Sequence, residues 1–143
     1  VPVGCIFVYN SEEIGIGKNE VNVSHDPTRH AEMVAIDRME KKWGQRKLKE
    51  MLGCTTLYVS LEPCIMCAAA LYQIGIGKIV YGADNDRFGG MRSVGNAIKY
   101  RADPSSIEVV AGVDGERSVR LLRSFYDKQN PYAPDEKRKS KNT

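Results

Sequence analysis

Two cysteines and a histidine have the types and addresses of metal ligands. Cys64 and Cys67 stand three positions apart, so on a helix their sulfurs project from one face and can chelate one ion. Near the start of that helix, free N–H groups and the positive end of the dipole favour thiolate over thiol. His30 is the candidate third ligand, at the start of an earlier helical stretch. Taken singly, each signal has a plainer reading. A lone C-x-x-C arises by chance or serves redox chemistry, and a histidine at a helix start is more often solvated or capped; His25, just upstream, is given that reading. Three ligands leave the fourth tetrahedral position for water, as catalytic zinc requires, whereas a structural zinc wants four. The remaining cysteines, Cys5 and Cys54, fall inside or at the edge of strand-like stretches and are poor candidates for a fourth ligand.

Glu32, two residues beyond His30, shifts the balance. With Pro63 ahead of Cys64 it completes H-x-E…P-C-x-x-C, which matches the general signature of zinc-dependent nucleobase deaminases. The residue types suit that chemistry. Two thiolates and an imidazole neutralise the ion yet leave it acidic enough to bring a bound water to a pKa of roughly 7. The hydroxide attacks the amino-bearing carbon of a base. Glu32 takes the water's proton, delivers it to the ring nitrogen and later protonates the departing ammonia. Glu62, just before Pro63, is expected to bond backbone groups at the helix start instead.

The elements that must hold these residues alternate between β-rich and helical patterns. Residues 3–9 read as a strand, 10–13 as a turn and 14–19 as the hairpin partner. Asp26-Pro27 is expected to open a helix, with Asp as N-cap, running to Gly44; Ala31, Val34, Ala35, Met39 and Trp43 form its apolar face. A charged, weakly helical connection over 45–53 leads to a strand at 55–60. Pro63 starts a second helix, apolar nearly all round and therefore buried. Residues 78–83 form the next strand, 84–96 a glycine-rich loop, 107–112 a last strand and 116–129 a last helix. This order implies an α/β sandwich with a mixed sheet: a hairpin first, parallel strands later.

Size and charge bound the partners. At 143 residues and 15.9 kDa the chain can bury roughly two-thirds of its surface, enough for one core. A composition of 42% hydrophobic and 27% charged residues is that of a globular protein, and no apolar run suits a membrane span. The opening residues lack a basic leader, so no signal peptide is expected, and the missing initiator Met suggests a trimmed front. Four cysteines without framework spacing fit a reducing compartment. Residues 128–143 carry five Lys or Arg against two acids, which accounts for the whole net charge of +3. Such a tail is either a solubilising end or a nucleic-acid arm.

The segments RHAEMVAID (29–37), LYVSLEPCIMCAAAL (57–71) and VYGADNDRFGG (80–90) resemble the catalytic subunits of the eukaryotic tRNA adenosine deaminases, within the cytidine and deoxycytidylate deaminase superfamily. The bacterial tRNA adenosine deaminases match less closely, and the NDRFGG loop and basic tail select the eukaryotic branch. The resemblance covers residues 1–132, with 133–143 expected to be a disordered basic tail; the family's helix before PVG is missing from this sequence. It implies a cytidine-deaminase-like three-layer α/β/α sandwich with a five-stranded mixed sheet. It gives His30, Cys64 and Cys67 to Zn2+, Glu32 to proton transfer and Asn19 to reading the base, where an amide suits purine N7. On its residues alone, Asn19 reads as a strand-end turn. The resemblance places the main chain of Ala31 and the ring of Pro63 on the base pocket, and the loop carrying Asn85, Arg87 and Phe88 beside the anticodon. There Arg87 would meet phosphate and Phe88 would stack on a splayed base, although Gly89-Gly90 equally marks a plain mobile turn. Phe125 and Tyr126 fall either near substrate or in the core. Lys137, Arg138, Lys139 and Lys141 are expected on tRNA backbone.

The implied reaction is hydrolytic deamination of adenosine to inosine at the wobble position of tRNA, in the nucleus, the cytoplasm or both. The implied partner is a related, non-catalytic deaminase-fold subunit, joined through residues 64–74 and the loop after them. Two alternatives stand beside this reading. One is a zinc deaminase of free nucleosides, nucleotides or bases, which needs no basic tail. The other is a catalytically silent zinc-binding subunit, against which Glu32 speaks.

Overall fold

The computed structural model describes residues 1–95 and 107–128. Strand β1 (Gly4–Tyr9) turns into β2 (Glu12–Lys18) through Asn10 and Ser11, whose φ values of 49° and 62° suit the tight turns that match strand twist. The turn is thus two residues long, and the second strand begins earlier than the sequence suggested. A short helix α1 (Val21–Ser24) follows, then α2 (Ala31–Trp43), α3 (Gln45–Leu52), β3 (Thr56–Leu61), α4 (Ile65–Ile74), β4 (Lys78–Ala83), β5 (Glu108–Val110) and α5 (Gly115–Tyr126). The sheet order is β2-β1-β3-β4-β5. β1 is antiparallel to β2 and β3, whereas β3, β4 and β5 run parallel, as the alternation of elements implied.

Helix α2 does not open at Asp26-Pro27. The Asp26 carboxylate accepts from the Thr28 N–H at 2.8 Å and from its hydroxyl at 2.7 Å, closing a local turn instead of capping a helix. His25 just before it is left-handed, with φ 54°. The helix starts four residues further on, with His30 as the extended N-cap. Gly44, at φ 75°, ends it as expected. Residues 45–52, expected to be weakly helical, form a full helix because Leu48, Met51 and Leu52 bury one side.

The apolar core lies between the sheet and helices α2 to α4: Phe7, Leu57, Ile79, Ala35, Met39 and Leu71 are essentially inaccessible. Helix α5 packs across β3 and β4 on the other face, making three layers. The row Ile16, Ile6 and Tyr58, paired across β2, β1 and β3, stays exposed on that outer face. One close approach fixes the site's position. A side chain on Gly17 would collide with the Ala31 carbonyl and come within 2.9 Å of the Ala35 nitrogen, so α2 lies directly on bare β2 backbone. Among the described residues no helix is long and apolar enough to cross a membrane. The expected tail, with Lys137, Arg138, Lys139 and Lys141, lies outside the described residues.

Candidate metal centre and active-site cleft

Two helix starts meet at one point. Cys64 is the N-cap of α4, as His30 is of α2, and Cys67 follows in the first turn. The Cys64 sulfur lies 3.4 Å from His30 Nδ1 and the Cys67 sulfur 3.7 Å from it. Tetrahedral zinc with its usual bond lengths sets sulfur and nitrogen about 3.6 Å apart, so the donor set fits that ion. Among the described residues this is the one group of three His, Cys, Asp or Glu ligand atoms that converges, all within 4.8 Å. Neither Cys5 nor Cys54 joins it: Cys5 is buried, its thiol pushed up to about 12 by burial, and Cys54 is exposed. A hydrogen bond couples the two sulfurs. The hydrogen bond from Cys67 pulls Cys64 down to about 5 against its burial, helped by His30, and the same bond together with burial drives Cys67 up. A zinc ion held by His30, Cys64 and Cys67 would take the place of the proton between the two sulfurs.

Glu32 stands two positions beyond His30 in the first turn of α2, only 3% exposed. Burial raises its carboxyl above the ordinary range, with the Cys64 charge adding to the rise, and its side chain meets the Cys67 thiol. A carboxyl held this way exchanges protons nearer neutrality, as a general acid and base must. It faces a cleft of about 1010 Å³ whose wall also includes Asn19, His30, Ala31, Cys64, Asn85, Arg87 and Phe88. The Asn19 amide oxygen accepts from the Val21 N–H at 3.3 Å, which leaves the amide nitrogen to donate. The Asn85 side-chain oxygen is likewise engaged, by the Phe88 N–H at 3.2 Å. Arg87 and Phe88 are exposed at the mouth. Pro63 differs from expectation: it is fully buried and does not line the cleft, and its carbonyl accepts from the Gly90 N–H at 2.9 Å. At the far end Tyr126 reaches the wall, while Phe125 stacks edge-on against it at 5.3 Å between ring centres.

Glu62 departs further from the sequence reading. It does not bond the start of α4 but the loop after β4. Its Oε1 accepts from the N–H groups of Met91 (3.0 Å), Arg92 (2.8 Å) and Ser93 (3.1 Å). Its Oε2 accepts from the Asn85 N–H at 3.0 Å and from the Ser93 hydroxyl. Although burial opposes ionisation, these donors outweigh it and hold the carboxyl below its usual range. A side chain on Gly89 would strike this carboxylate. That glycine was the available clue: a Gly-Gly pair in the loop marks close backbone approach as well as a turn.

A family model, the cytidine and deoxycytidylate deaminase zinc-binding region, matches residues 1–83. The tRNA-specific adenosine deaminase 2 of Danio rerio is 46% identical over 96% of this chain, which spans 66% of that relative's length. The tRNA-specific adenosine deaminase 2 of Xenopus tropicalis is 44% identical, over 99% of this chain and 85% of its own. A solved structure from work on A-to-I editing by tRNA:A34 deaminases at the wobble position superposes with a TM-score of 0.73 at 30% identity, covering 84% of each chain. The sheet order and the convergence of His30, Cys64 and Cys67 agree with this kinship, and the chain belongs to the cytidine and deoxycytidylate deaminase zinc-binding family, on its tRNA-specific adenosine deaminase branch.

Proposed function

We propose that this chain hydrolyses the amino group of adenosine at the wobble position of tRNA anticodons, leaving inosine. The observation that carries the reading is the meeting of His30, Cys64 and Cys67 with buried Glu32 at one end of an open cleft. His30, Cys64 and Cys67 would hold zinc, which when bound activates water for attack on an aromatic carbon. The chain's own groups do the rest. Glu32 takes a proton from the attacking water and passes it to the ring nitrogen, then carries a second proton, from the added oxygen, to the amino group, which leaves as ammonia. The Asn19 amide nitrogen donates to the base, and the Ala31 main chain borders it. Arg87 and Phe88 at the mouth suit phosphate and a splayed base. The anticodon loop is already single-stranded, so presenting its base costs little.

The cleft's volume exceeds what a single base fills and leaves room for flanking nucleotides. Its mouth carries Asp84 and Asp86 beside Arg87, so attraction for the RNA backbone must come from elsewhere; the tail cations Lys137, Arg138, Lys139 and Lys141 supply it in this reading. A related, non-catalytic deaminase-fold subunit is the proposed partner. Ile65 and Met66 on α4, exposed with Val94 beyond it, support that contact. In this reading the chain works in the nucleus, the cytoplasm or both. The test is inosine formation in an adenosine-wobble tRNA, measured with and without the partner subunit. Inosine in the tRNA is the expected result; turnover of free nucleosides alone would overturn it.

A further inference from the structure

We propose that Glu62 is a positioning residue for RNA capture, its carboxylate holding the loop of residues 85–93 so that Arg87 and Phe88 are presented at the cleft mouth. The inference rests on the tRNA reading above and deepens it. One buried side chain gathers five donors from that loop, four of them main-chain N–H groups at positions 85, 91, 92 and 93. Those donors bracket residues 86–90, so both ends of the exposed tip are tied to a single point. The tip is also laced to the metal-ligand segment: the Ile65 N–H donates to the Phe88 carbonyl at 2.9 Å, and Cys64 pairs with Gly89 in an antiparallel bridge. Yet Glu62 lies on the cleft wall behind the mouth, and the groups it bonds are loop groups rather than metal ligands. A merely structural carboxylate would support Cys64. This one supports the segment that carries the exposed cation and ring.

Glu62→Gln keeps the shape but turns one acceptor into a donor facing donors. In zinc-loaded full chain with its partner subunit, acting on an adenosine-wobble tRNA, KM should rise about tenfold or more while kcat stays within about threefold. Zinc content should hold, and amide exchange at residues 85 and 91–93 should accelerate. Ser93→Ala removes one donor and should raise KM about two- to threefold. Gly89→Ala strikes the same contact from the loop side, and combined with Glu62→Gln it should add little to the larger single effect. Unchanged KM with inosine still formed by the unmodified enzyme overturns the capture role alone. So does a loss of zinc and kcat at constant KM. No inosine from the unmodified enzyme overturns the tRNA reading, and the capture role with it.

Discussion

Glu32 and Glu62 are the same residue at nearly the same burial, 3% and 1% exposed, yet their surroundings push them in opposite directions. At the metal end burial raises the Glu32 carboxyl, and the negative Cys64 sulfur adds to the rise against the opposing Cys67 hydrogen bond. At the mouth Glu62 collects four amides and a hydroxyl, and its carboxyl falls despite burial. Burial pushes both carboxyls up, so it does not set them apart. The number of donors decides whether a buried acid trades protons or fastens a loop.

The contrast breaks first at the metal. Cys64→Ala should abolish zinc binding and activity together and lower stability, because ligand binding is coupled to folding; full occupancy by metal analysis would remove Cys64 from the site. Next comes the proton carrier. Glu32→Ala should cost about 10²–10⁴ in rate, or about 2.7–5.5 kcal/mol, with zinc content unchanged. Activity within about threefold of normal would end the assignment, and loss of zinc would make Glu32 a ligand.

The two acids should then part in stability. Glu62→Gln should destabilise by about 2–3 kcal/mol near neutral pH, for lost charged hydrogen bonds. A lowered carboxyl contributes stability above the ordinary carboxylate range, lost as pH falls through the folded value, so this deficit should shrink in acid. Glu32 has the reverse sign in the zinc-free chain. Its stabilising contribution is complete below the ordinary range and is lost as pH rises through the folded value. Glu32→Gln should therefore raise the neutral-pH melting temperature of zinc-free protein. Melting curves of both variants from pH 3 to 8 (about the range spanned by carboxylates and neutrality) test the pair, and equal signs would refute the contrast. The smallest effect is at the tail. Deleting residues 136–143 should flatten the slope of log affinity for tRNA against log salt by up to about 3, with zinc unchanged; identical slopes would make the tail a solubilising end.

The candidate metal centre was legible in the residues because its logic is local: ligand type and a spacing of three within one helix. The leading hairpin and the parallel strands after it followed from the alternation of elements. What escaped was decided by distant partners. Asp26 looked like a cap because Pro27 follows it, but Thr28 offered its carboxylate nearer donors. Pro63 looked like a pocket wall from its place in the signature, but it is enclosed, with its carbonyl engaged by the Gly90 N–H. Glu62 was assigned to the helix beside it, while its donors lie up to 31 positions away along the chain. No local pattern announces a carboxylate that bonds a loop it has not yet met.

The bare contact between Gly17 and the first turn of α2 has an evolutionary consequence. Where side chains space a helix from its sheet, each exchange of a core residue moves the helix by the difference in bulk. Here the spacing beneath Ala31 is set by main-chain atoms, which substitution does not alter. The height of His30 and Glu32 above the sheet is thus insulated from drift in the core behind them. Leucines, methionines and valines further along α2 and α4 are free to trade volume over generations while the ligand and the acid keep their places. The cost of that freedom falls on one position, which must remain glycine.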